Sequence, residues 1–407
     1  MKFINSLNLN RFSLLICFFF PFCNYLISLL LAYPVPYFGD FFLIILFSLF
    51  SLVNFLNLRL KKFDLLIYIY FLIVIFFIYT NFNFFDDLYK LAEIRYIIYI
   101  PILFFLFRIT YTSKSISIET FNFLYLILKI NLFICIGEFI IINFLPFSDV
   151  ILNRALTVFA NKERMYDSIF GNLYKPAGLF PGSGNASIAI TILLIWAIKI
   201  KNPKWIFYFL ILIGLIITFT FTSLIILIFG FLFVILKKIK FFNFNIILLI
   251  LFILFYFSGQ ITNFRSSGLS NSELESVSFE TATFVYQVSF EKYIEKFSFL
   301  PHKFSFSETN NLSDLIGPTG EIYLLRVGIY FGNLLVLIFV IWLFYLVFKI
   351  IKSKNGMSKI LYFISFSIII SSFHYPAING IPLYFLLPLS TVLGINIDSK
   401  SFDKTFS

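Results

Sequence analysis

Histidine is almost missing from this chain: His302 and His374 are the only two in 407 residues, and no Cys/His cluster has metal-ligand spacing, which argues against a zinc site. Cysteine is scarce as well. Cys17, Cys23 and Cys135 all fall inside apolar runs, where a disulfide would have to join helices within lipid, so they carry no information on redox compartment. Charge is the largest deficit. Only 13% of residues are charged, 60% are hydrophobic and mean hydropathy is +0.96, values far from those of soluble globular domains. The composition predicts an all-α polytopic membrane protein, one integral membrane domain over residues 1–407. Acids are fewer than bases, leaving a net charge of +11. In a soluble chain that excess would point to nucleic acid; here it reads as anchoring charge at cytoplasmic helix ends, and no nucleic-acid partner is expected. No internal repeat of the kind that marks inverted-repeat transporters is visible.

Apolar runs near the roughly 20 residues that cross hydrocarbon fall at 12–33, 38–56, 64–80, 94–108, 121–145, 177–198, 244–258, 322–348, 359–376 and 380–396. The first is too long for a signal-peptide core and is read as an uncleaved helix. Residues 205–236 form one further run, preceded by Lys199, Lys201 and Lys204 and followed by Lys237, Lys238 and Lys240. A hairpin broken near Thr218–Ser223 keeps both lysine clusters on the inner side, as positive-inside bias demands. About 12 transmembrane helices result, with both termini cytoplasmic. Nineteen basic residues then face inward and eleven outward, an asymmetry that favours this topology, and Lys129 is left within the membrane. Two outer loops are large, 146–176 and 259–321, and function is expected there. Within the second, Glu273 to Phe297 carries apolar residues at rough helical spacing, which reads as a helix covering the bundle mouth.

The seam Pro176-Ala-Gly-Leu-Phe-Pro-Gly-Ser-Gly-Asn185 leads from the first large loop into the 177–198 run. That helix would run from outside to inside, so its positive dipole end faces the outer mouth. Gly182, Ser183 and Gly184 are read as exposing backbone N–H groups and Asn185 as an N-cap, an arrangement suited to a phosphate oxygen. Arg95, Arg154, Arg164, Lys175, Arg265 and Arg326 all fall on the same side, and guanidinium forks fit phosphates. In the fifth run, Lys129 and Glu138 are costly in hydrocarbon; Glu138 is expected to reach the mouth and Lys129 to snorkel inward. Gly328 and Gly332 read as a small-residue packing face. Outer candidates for a general base are Glu321, His302, Glu93 and His374.

The helix count, the large third and fifth outer loops, and Gly178-Leu-Phe180 leading into the sixth helix together resemble the bacterial O-antigen polymerase and O-antigen ligase superfamily. Lys175 stands where family members carry an arginine, and Pro181-Gly-Ser-Gly-Asn185 stands where they carry Pro-Asn. Thr218 to Leu224 is similar to the Ser/Thr-rich hairpin tip, and Glu321 to Gly332 to the segment ending the large loop. The ligase branch has a His-Asn pair near that position. This chain has Thr309-Asn-Asn311, with His302 displaced, which favours polymerase over ligase. The resemblance implies two large periplasmic loops, a location in the inner membrane, and glycan transfer from undecaprenyl pyrophosphate to a sugar hydroxyl of the next lipid-linked repeat unit. No metal or cofactor would be required, because Arg and Lys would stabilise the departing pyrophosphate; a chain-length regulator is the implied protein partner. A flippase for the same lipid-linked sugars is the alternative outside glycosyl transfer, and it would need cations along a central cavity.

Overall fold

Long apolar runs in a medium without water must satisfy their backbone groups internally, and helices do so within one segment. The computed structural model describes residues 62–81, 88–111, 114–144, 168–169, 173–180, 182–235, 291, 293–295, 297–301, 323–373 and 383–398. Within them the order is α1 (Lys62–Thr80), α2 (Leu88–Thr110), α3 (Lys114–Phe144), a two-residue antiparallel pair β1 (Ser168–Ile169) and β2 (Leu173–Tyr174), α4 (Ser183–Trp196), α5 (Trp205–Ile217) and α6 (Phe221–Gly230). After these come α7 (Tyr323–Phe331), α8 (Asn333–Lys352), α9 (Gly356–Ser371) and α10 (Leu383–Asp398). Both α4 and α6 end in a π-helical turn, Ala197–Lys201 and Phe231–Ile235. Among the described residues, four helices are long and apolar enough to cross a membrane: Phe63–Thr80, Lys114–Phe144, Ser183–Lys201 and Asn333–Lys352. The expected runs 12–33, 38–56 and 244–258 lie outside the described residues, as does nearly all of the two large loops.

Packing divides the apolar residues in a way suited to lipid rather than water. On α1, Ile67, Tyr70, Val74 and Phe77 are buried, while Leu65, Ile69, Leu72 and Phe76 are just as apolar and exposed. Helix α4 is different. All of its residues are buried, so it fills the middle of the bundle. Beside it, a buried hydroxyl cluster joins three helices: Ser365 Oγ on α9 lies 2.6 Å from Ser390 Oγ on α10, and Thr391 Oγ1 donates to Ser365 Oγ at 2.9 Å and accepts from Trp342 Nε1 of α8 at 3.3 Å.

Two contacts show how α5 and α6 run. Lys175 Nζ, just before α4, donates to Phe219 O in the turn between them at 3.2 Å, and Lys199 Nζ, in the π turn after α4, donates to Val234 O near the end of α6 at 2.5 Å. The pair is therefore a hairpin, with the two ends of the 205–235 run at the level of the Lys199 cluster. Thr218 to Thr220 break the helix, and Thr220 caps α6 through its side chain, which accepts from Ser223 N at 3.3 Å.

The end holding Lys199 and Lys201 (the lysine end) also gathers the start of α1 and the ends of α2, α8 and α10. Arg108 Nε and Nη2 donate to the two oxygens of Asp64, both at 3.1 Å, and Nη1 donates to Asn396 Oδ1 at 3.1 Å; Asn396 Nδ2 in turn donates to Tyr111 O. Asp64, Arg108 and Asn396 are all buried. Gly356, which opens α9, sits against Ile200 at this same end. Helix α9 therefore finishes at the opposite end, where Ser372 O accepts from Leu324 N of α7 at 3.2 Å.

One expected helix is two. The 322–348 run breaks at Gly332, whose φ of 78° lies in the left-handed region. A Cβ there would meet the Leu300 carbonyl carbon at 2.5 Å. The break lets residues 298–299 cap α8: Asn333 N donates to Ser298 O at 2.9 Å and Leu334 N to Phe299 O at 3.1 Å. Gly328 likewise faces the ring of Tyr293, so both glycines do form a packing face, and what packs there is the 293–300 segment.

Candidate functional site

Helix α3 presents Asn131, Cys135 and Glu138 at i, i+4 and i+7, which places them on one face. That face grips the seam. Glu138 Oε2 accepts from Ala177 N at 3.0 Å and from Gly178 N at 2.6 Å, and Asn131 Oδ1 accepts from Leu179 N at 2.9 Å. Gly178 has φ of 61°, and a Cβ on it would lie 2.5 Å from Asn131 Oδ1 and 2.6 Å from Cys135 Sγ. Glycine is required here by both conformation and space. Three consecutive backbone N–H groups, an anion-binding nest in form, thus take side-chain acceptors from within the protein.

Residues 175–180 and Gly182 are not helical, and α4 begins six residues later than the 177–198 run predicts. Gly182 is its N-cap, with no side-chain capping bond. Asn185, read from the sequence as the cap, is instead the third residue of the helix, because Gly182 adopts the extended conformation from which the helix starts. Asn185 is buried, and its Oδ1 has no hydrogen-bond partner among the described residues; Asn131 Nδ2, on the gripping face of α3, likewise has none. The first N–H groups of an α-helix have no intrahelical acceptor, and a helix N-terminus without a side-chain cap leaves them for another ligand.

Lys175 is buried and its ammonium tethers the α5–α6 turn through Phe219 O. Gly182, Gly184 and Asn185 sit together at the start of α4. Arg95 lies two turns into α2 and Arg326 in the first turn of α7, and both helices start at the end of the bundle where the seam lies; of these two residues the backbone alone is described. Arg154, Arg164, Arg265, His302 and Glu321 lie outside the described residues, as does His374. Glu138 lies at the seam, toward the end of α3 away from Lys129. Lys129 turns the other way, its Nζ 5.2 Å from the Phe207 ring near the start of α5. Asn131 is the residue that sequence reasoning passed over. A signal existed in its spacing of i and i+7 from Glu138 in a largely apolar stretch of α3, where uncompensated amides and carboxylates are costly. No protein-family model, no curated protein and no solved structure matches the chain.

Proposed function

We propose that this chain is a metal-independent membrane glycosyltransferase of the O-antigen polymerase type, joining undecaprenyl-pyrophosphate-linked oligosaccharide repeat units on the periplasmic face of the bacterial inner membrane. The observation that carries the reading is the start of α4, without a side-chain cap among the described residues and held by the Glu138 clamp at the end of the bundle from which α2 and α7 also start, with Arg95 and Arg326 in their early turns. In this reading the lysine end and both termini face the cytoplasm, and the loops 146–176 and 259–321 bring Arg154, Arg164 and Arg265 over the seam. An acceptor hydroxyl attacks the anomeric carbon of the growing glycan, and the bond from that carbon to the pyrophosphate oxygen breaks. The hydroxyl proton passes to Glu321 or His302. Undecaprenyl pyrophosphate leaves, its developing charge met by the arginines, the α4 N–H groups and the buried positive charge of Lys175. The buried amides of Asn185 and Asn131 add acceptor and donor capacity for sugar hydroxyls near the same point. A flippase would need a polar route through the middle of the bundle, where the described residues put the fully buried α4.

Chain-length ladders of surface polysaccharide test the assignments. Arg326→Ala and Arg164→Ala should each shorten or abolish polymer at normal protein levels, with lysine rescuing only in part because it lacks the guanidinium fork. His302→Ala and Glu321→Gln separate the two bases: the one that accepts the proton should reduce the product to a single added repeat unit, while the other substitution leaves the ladder intact. Normal ladders for both arginine variants would remove them from the site, and full polymer in the double base variant would show that neither residue takes the proton.

A further inference from the structure

A lysine with no carboxylate partner sits halfway along α3. Among the described residues, Lys129 makes neither an ion pair nor a hydrogen bond; its Nζ lies 5.9 Å from the Tyr125 ring and 5.2 Å from the Phe207 ring. Lys201, in the π turn after α4, flanks the same tyrosine at 5.5 Å and donates to Asn122 Oδ1 at 3.0 Å. Asn122, Leu126, Lys129 and Phe133 are spaced i, i+4, i+7 and i+11 along α3, and the first, second and last are exposed. Helix α5 packs beside this stripe and exposes Trp205, Ile206 and Phe209. Two cations at one level, with exposed apolar side chains continuing along both helices, match an amphiphile bearing a phosphate at its head.

We infer that the groove between α3 and α5 binds an anionic phospholipid, its phosphate on Lys129 and Lys201 and its acyl chains along Phe133 and Phe209. The apolar walls select a lipid over a free phosphate ion. Trp205, 75% exposed beside Lys204, sits where an aromatic belt residue meets the headgroup layer. Basic groups near a charged lipid headgroup each change affinity by about fivefold, so the pair supplies a preference that a zwitterionic lipid does not satisfy.

Quenching of Trp205 fluorescence by bromine on the acyl chains tests this with the full-length protein reconstituted in bilayers. Brominated phosphatidylglycerol should quench at a lower mole fraction than brominated phosphatidylcholine, and Trp205→Phe should remove the difference in signal. Lys129→Gln with Lys201→Gln should abolish the preference, each single substitution lowering it about fivefold. Lys352→Gln, on α8 at the same end, should leave it unchanged. Equal quenching by the two lipids in the wild-type protein would overturn the site. So would an equal loss of preference in Lys352→Gln, since that would make the effect one of diffuse surface charge. If the double variant loses its wild-type thermal midpoint, the single variants carry the same test.

Discussion

Gly178→Val should yield no folded protein in the membrane. The residue adopts φ of 61°, and its missing Cβ would fall 2.5 Å from Asn131 Oδ1 and 2.6 Å from Cys135 Sγ on a buried helix face. A left-handed conformation at a branched residue costs about 1–2 kcal/mol and overpacking about 1–3 kcal/mol. Displacing the seam would also free the Ala177 and Gly178 N–H groups from Glu138, at about 1–3 kcal/mol for each one left unpaired. Those costs together approach the whole stability of a typical domain, about 5–15 kcal/mol. Glu138→Ala should show the hydrogen-bond part alone, as a lower thermal midpoint in detergent and a loosened seam. Glu138→Gln, which keeps an acceptor oxygen, should fall between Ala and wild type. A wild-type midpoint for Glu138→Ala would mean that the carboxylate does not hold the seam.

Arg108→Met should be the most destabilising single change at the opposite end. Asp64 and Arg108 are buried and share two hydrogen bonds, so removing the guanidinium takes from a buried carboxylate the cation it pairs with, at a cost of about 3–5 kcal/mol. Replacing both partners by apolar residues, Asp64→Leu with Arg108→Met, should recover most of that loss, because a buried ion pair is worth little relative to good apolar packing. Thermal unfolding of the three variants reads this directly. Equal midpoints for the single and the paired replacement would show that the loss comes from packing or from Asn396 rather than from an uncompensated charge.

These two ends were legible in the sequence to different degrees. Hydropathy located most of the described helices, and the paired lysine clusters around 205–236 pointed to the hairpin that Phe219 and Val234 now tie down. Glu138 was expected at the mouth, because a carboxylate near one end of an apolar helix has somewhere polar to go. The break at Gly332 was hidden. The apolar run continues on both sides of it, and the left-handed turn packs against the backbone of residues 299–300, distant in sequence. The start of α4 was misplaced for a related reason: Ala177 to Phe180 are apolar enough to extend the helix, yet their N–H groups are claimed by α3. The Asp64–Arg108–Asn396 cluster joins positions far apart in sequence, and pairing at such distance leaves no mark in local pattern.

Polymerisation by the purified protein tests the central proposal most directly. Reconstituted into vesicles with undecaprenyl-pyrophosphate-linked repeat units, it should produce a ladder spaced by one repeat unit and release one undecaprenyl pyrophosphate for each glycosidic bond formed. Intact monomer after incubation, with the protein folded by its thermal midpoint and the lipid-linked donor accepted by an unrelated polymerase, would contradict the account; transfer of the lipid-linked sugar between leaflets without bond formation would replace it with a flippase.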